Sequence, residues 1–88
     1  MDRLQALGIF VRVAELESFT GAAKSLGLPK ATVSSGVQQL EERLATRLLS
    51  RTTRRVSLTH DGAAFYERCK DLLADADEVE SMFQSGEA

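Results

Sequence analysis

Gly27 and Pro29 stand two residues apart, between two stretches whose apolar residues recur at helical spacing. Glycine accepts the left-handed conformation with which helices commonly stop. Proline suits a first helical turn and blocks continuation of a preceding helix. The pair therefore predicts two helices joined by a short turn rather than one long helix. Before it, Ser18 can cap the first of the two, and Phe19, Ala22, Ala23 and Leu26 give an apolar face. After it, Val33, Val37, Leu40 and Leu44 stand at i, i+4, i+7 and i+11, a 3.6-period stripe. Two helices so joined make a helix-turn-helix unit.

The flanking sequence adds three elements. Leu4, Leu7, Phe10, Val11 and Ala14 predict an amphipathic helix over residues 2–16, in which Gly8 costs roughly 1 kcal/mol relative to Ala. Residues 48–53 and 55–59 are short and partly alternating, and predict a two-stranded hairpin with Arg54 near its tip. No Asn-Gly or Asp-Gly fixes the turn type. Thr59 can cap a last helix reaching about Gln84, with Asp61 in its first turn. There Phe65, Cys69, Leu72, Ala76, Val79 and Phe83 are spaced 4, 3, 4, 3, 4. That 3.5-residue period is the seam of a helix that packs on another helix. The competing reading packs the seam on the chain's own domain.

With 88 residues, 43% apolar and 27% charged, the chain has the size and mix of one small globular domain plus an appended element. No apolar run approaches the ~20 residues of a membrane span. No apolar stretch follows Met1, Asp2 and Arg3, so no secretory signal is expected. A single cysteine fits a reducing cytoplasm, and one His with one Cys is too little for a zinc site. The net charge of −2 hides a strong division. Residues 1–60 hold nine basic and five acidic groups, whereas residues 61–88 hold two basic and eight acidic. The first block therefore suits an anionic partner.

On a helical wheel, Ala31, Ser35, Gln38 and Glu42 lie opposite the Val33 stripe, with Thr32 and Gln39 on a flank. Small polar residues allow close approach to a major groove and offer donors and acceptors to base edges. A merely solvated face is the competing explanation. Arg51, Thr53, Arg54 and Arg55 form a second cluster, suited to phosphates or a minor groove. Its plainer role is an exposed loop paired with the acidic last helix. The two features complement each other, because phosphate contacts position and base contacts specify. Catalysis finds little footing. His60-Asp61 is a sequential pair at a helix start, Cys69 falls on an apolar seam, and no glycine-rich phosphate loop occurs.

The segment Phe19-Thr20-Gly21-Ala22-Ala23-Lys24-Ser25-Leu26-Gly27-Leu28, the run Thr32-Val33-Ser34, Leu40-Glu41-Glu42-Arg43-Leu44, and residues 47–59 with Gly62 resemble the N-terminal domain of LysR-type transcriptional regulators. The resemblance covers essentially the whole chain. It implies a mostly α fold: a winged helix-turn-helix over residues 1–59, with the helix-turn-helix about 19–38 and the wing about 48–58. Residues 60–88 would then be a linker helix that dimerises the domain, in an antiparallel pair. The usual C-terminal effector-binding domain has no counterpart here, so the chain is expected to be a fragment. Three departures stand out. Ser35 occupies a place where the family often has Arg, Gly36 after it loosens the recognition helix, and Ala45 stands where the family usually has Gly. If residue 45 is left-handed, Ala there costs on the order of 1 kcal/mol.

The resulting expectation is a bacterial DNA-binding domain that grips double-stranded DNA as a homodimer at an interrupted inverted repeat, with no cofactor and no membrane. Thr32, Ser34, Ser35 and Gln38 would read the major groove. Lys30, Arg51, Thr53, Arg54 and Arg55 would hold phosphate or the minor groove. Phe65, Cys69, Leu72, Ala76, Val79 and Phe83 would form the dimer interface. A winged-helix module for an acidic protein partner, and an accessory domain for a phosphorylated ligand, are the alternatives.

Overall fold

The computed structural model describes residues 2–52 and 55–84, in the order α1 (Arg3–Leu16), α2 (Phe19–Leu26), α3 (Lys30–Leu44), β1 (Leu49–Arg51), β2 (Val56–Leu58) and α4 (His60–Gln84). Side-chain oxygens satisfy amide donors that helix starts leave open. Asp2 accepts from Gln5 N at 2.8 Å, and Ser18 from Gly21 N at 2.8 Å. Thr59 accepts from Gly62 N at 2.9 Å, so it caps α4.

The three domain helices also stop alike. Glu17, Gly27 and Ala45 all take left-handed backbone conformations, with φ of 52°, 68° and 52°. Each is followed by an amide that reaches back five residues: Ser18 to Val13, Leu28 to Ala23, Thr46 to Glu41. This closure satisfies carbonyls that the helix end would otherwise expose. Only one of the three stops is a glycine, so only that one is plain in the sequence.

α1 is the central helix, packed against α2, α3 and α4. It buries Ala6, Leu7, Ile9, Phe10, Val11 and Val13, which is more than the single stripe its sequence suggests. Leu4, assigned to that stripe, stays about half exposed. Val33, Val37 and Leu40 of α3 are fully buried, while Leu44 at the end of their stripe is not. Gly36 is buried on this same helix, so its missing side chain lies towards the domain rather than towards solvent. β1 and β2 pair antiparallel, with Leu49 opposite Leu58, Ser50 opposite Ser57 and Arg51 opposite Val56. Leu48 and Leu49 carry the hairpin into the core.

α4 corrects part of the predicted seam. Cys69 is 3% exposed and belongs to the domain core, where burial pushes its thiol pKa up. Phe65 is half-buried and its ring lies 5.6 Å from that of Phe10. Tyr66 and Leu73 join them against the core. These two seam residues are therefore intrachain packing and are not free for a partner helix. The physical reason is length. At 1.5 Å per residue, α1 spans about 21 Å and α4 about 37 Å, so α4 packs on the domain only near its start. Beyond Cys69, Leu72 is 48% exposed, Val79 60% and Phe83 76%, with Ala76 half-buried.

Candidate nucleic-acid interface

The cleft between α3 and the hairpin is built by three local decisions. Glu41 sits on the wing side of α3, and its Oε2 accepts from both Leu48 N at 2.8 Å and Leu49 N at 3.1 Å. This carboxylate fixes the first residues of the hairpin against α3. Strand alternation then decides where side chains go. Leu49 and Arg51 share one face of β1, and Leu49 points into the core, so Arg51 points towards the domain. Its guanidinium carbon lies 4.4 Å from the centre of the Phe19 ring at the start of α2. Just before the far strand, Arg55 makes a loose, exposed ion pair with Glu17 at 3.8 Å.

Two open concavities result. The larger, about 540 Å³, is lined by Lys30 and Ser34 of α3, by Arg51, Thr52 and Arg55 of the hairpin, and by Ser18 and Thr20 beside α2. The smaller, about 300 Å³, continues along α3 past Ser34, Gln38 and Arg47. Ser34 and Arg51 line both. Among the described residues, a single strip thus carries four cationic side chains, Lys30, Arg47, Arg51 and Arg55, and two carboxylates, Glu17 and Glu41, beside polar side chains of α3. Arg47 is an addition that sequence reasoning missed. Its position just before the first strand was a signal only once the hairpin's path was known.

The predicted base-reading residues divide between two flanks. Ser34 and Gln38 face the strip, and Gln38 Nε2 is 3.5 Å from Glu42 Oε2. Thr32 and Ser35 lie towards the other side of α3, where Gln39 Nε2 donates to Ser35 Oγ at 3.1 Å. Thr53 and Arg54 lie outside the described residues. Among the described residues no cluster of three or more His, Cys, Asp or Glu is placed to hold a metal ion, and no helix is long and apolar enough to cross a membrane.

Residues 4–63 match the bacterial regulatory helix-turn-helix proteins of the lysR family. An HTH-type transcriptional repressor of Pseudomonas aeruginosa (strain UCBPP-PA14) is 52% identical over 88 residues, covering 100% of this chain and 28% of that protein. The HTH-type transcriptional activator AaeR of Escherichia coli K12 is 37% identical over 79 residues, covering 90% of this chain and 26% of its own length. The chain thus spans little more than a quarter of these relatives. Among solved structures, the BenM DNA-binding domain on its benA site 1 DNA superposes with a TM-score of 0.88 at 38% identity, covering 96% of this chain and 94% of that one. The CbnR DNA-binding domain bound to DNA gives 0.86 at 29% identity, covering 99% and 100%. Two helices meeting at Gly27, a two-stranded hairpin and a long following helix superpose on these structures as a whole, and the chain belongs to the LysR family as its winged helix-turn-helix DNA-binding domain.

Proposed function

We propose that two copies of this chain bind an interrupted inverted repeat in duplex DNA, each laying α3 in a major groove. The carrying observation is that the polar wing-side flank of α3 and the four cations of the strip open onto one concave surface. A duplex set there meets phosphate-binding and base-reading groups together, which is the division of labour that specific binding needs. Ser34 and Gln38 would read bases from the strip side, and Thr32 and Ser35 from the opposite flank of the same helix. Lys30, Arg51 and Arg55 would hold phosphates, with Arg47 extending that line. The relatives that are crystallised on DNA support this reading, as does the bacterial regulator family itself. The cytoplasm is the compartment such a function requires. Both a repressor and an activator are among the relatives, so the sign of regulation belongs to the full-length protein.

The test is a salt titration on a long mixed-sequence duplex. If a dimer neutralises roughly 6–10 phosphates, affinity falls ~10³–10⁵-fold between 50 and 200 mM salt. A flat titration overturns DNA binding and favours an acidic protein partner instead. Gln38→Ala, assayed on sequences selected from random duplex, should alter preference at one symmetric base pair by ~1–3 kcal/mol.

A further inference from the structure

We infer that Phe19 is a positioning residue for DNA binding, acting through Arg51; the inference rests on the DNA-binding reading above. Phe19 is the first residue of α2, directly after the Ser18 cap, and it is only 9% exposed. Its ring is therefore fixed by the core on one side. On the other side it meets the Arg51 guanidinium, 4.4 Å from the ring centre. Arg51 itself is exposed and ends a three-residue strand, next to the hairpin tip.

An arginine so placed has many rotamers in water, and ordering it on DNA costs entropy. A flat aromatic face removes part of that cost beforehand, because a guanidinium stacks on it while its edge N–H groups stay free. The stack leaves those donors in the cleft shared with Lys30 and Ser34. Lysine at position 51 would keep the charge but not the flat face. Phe19 also joins two parts of the cleft wall, the start of α2 and the end of β1. The Glu17–Arg55 pair ties the end of α1 to the hairpin, but at 3.8 Å between exposed groups it contributes little.

The experiment compares wild type, Phe19→Leu, Phe19→Tyr, Arg51→Lys, Arg51→Gln and the Phe19→Leu/Arg51→Gln double variant on one long mixed-sequence duplex. Affinity is measured across a salt series and melting is followed without DNA. Phe19→Leu should weaken binding about two- to fivefold per protomer, the range expected for one exposed cation–π contact. Its salt slope should flatten by up to about 0.9 per protomer, as for one lost phosphate contact. Phe19→Tyr should keep both at wild-type values, and Arg51→Lys, which leaves the core untouched and keeps the charge, should match Phe19→Leu in lost affinity. The double variant should bind no worse than Arg51→Gln alone. Multiplying losses in the double variant, or a salt slope unchanged by Phe19→Leu, would reduce Phe19 to a core residue. Wild-type affinity indifferent to salt would overturn the DNA-binding reading and this inference with it.

Discussion

Ala45 shows how a single residue can hold a fold in place at a cost. Its φ of 52° lies in the left-handed region, where an L side chain is strained by roughly 1–2 kcal/mol. The helix stop is nevertheless complete, with Ala45 N bonded to Glu42 O at 3.2 Å and Thr46 N to Glu41 O at 3.1 Å. Ala45→Gly should therefore raise stability by about 1 kcal/mol, seen as a higher urea midpoint with an unchanged m-value. An unchanged midpoint would mean that glycine's extra freedom in the unfolded chain cancels the relief. The Ala45 stop was legible in the sequence only as a condition, through resemblance to a family that places glycine there. Glu17, with the same backbone, gave no sign at all, because nothing in a Glu side chain advertises a left-handed stop. Gly27 was legible outright, since Pro29 follows it and glycine takes that conformation freely.

At the scale of elements, all four helices and the hairpin could be read from spacing and punctuation, but their mutual anchoring could not. Glu41 looks like one charge in a charged helix end. Only the fold brings Leu48 N and Leu49 N, seven and eight residues later, onto its carboxylate. Glu41→Ala would strand two partly buried amides. It should cost about 1.5–3 kcal/mol and release the hairpin before the helices melt. Hydrogen exchange would show this as early loss of protection in residues 48–58 while α1 and α3 stay protected. Uniform loss everywhere would make Glu41 a contributor to global stability only. The seam of α4 was half legible for a related reason. Heptad spacing continues through Phe65 and Cys69, but spacing does not say which partner takes each residue. The domain takes these two, with Tyr66 and Leu73, and the exposed Leu72, Val79, Met82 and Phe83 remain.

For the whole molecule, this division predicts separable defects. The chain measures 49 × 25 × 20 Å, elongated as α4 outruns the three-helix domain. Substitutions in the exposed part of α4 should spare the domain and affect association. Leu72→Asp combined with Val79→Asp should leave thermal melting of the dilute chain within a few degrees of wild type, as surface changes usually do. It should convert dimer to monomer in sedimentation and collapse binding to paired half-sites. Phe65→Ala should instead destabilise the domain, by about 3–5 kcal/mol if the site were fully buried and less for this half-buried ring. A wild-type chain that is monomeric at high micromolar concentration, free and on DNA, would remove the dimer from the proposal. The charge division acts at this scale too. The acidic run of Asp71, Asp75, Asp77, Glu78 and Glu80 lies on α4 beyond the domain, whereas the cations of the strip surround α3. On the proposed binding mode, phosphates would be drawn to one end of the molecule and repelled from the other, which would orient it on DNA before any base is touched.

The junction between the hairpin and α4 has a mechanical consequence. Thr59 N donates to the Leu48 carbonyl at 3.0 Å and Thr59 Oγ1 to the Arg47 carbonyl at 2.7 Å, and Gly62 packs so closely on Leu48 that an added Cβ would lie 1.9 Å from its carbonyl oxygen. The hairpin root and the start of α4 are therefore tied to each other, so that a shift of one would require a shift of the other. A displacement of the far end of α4, about seven turns of helix long and largely outside the domain, would be felt at Leu48. There Glu41 passes it on to α3. Whatever sets the angle between two such helices in a full-length regulator would then also set how the strip is presented.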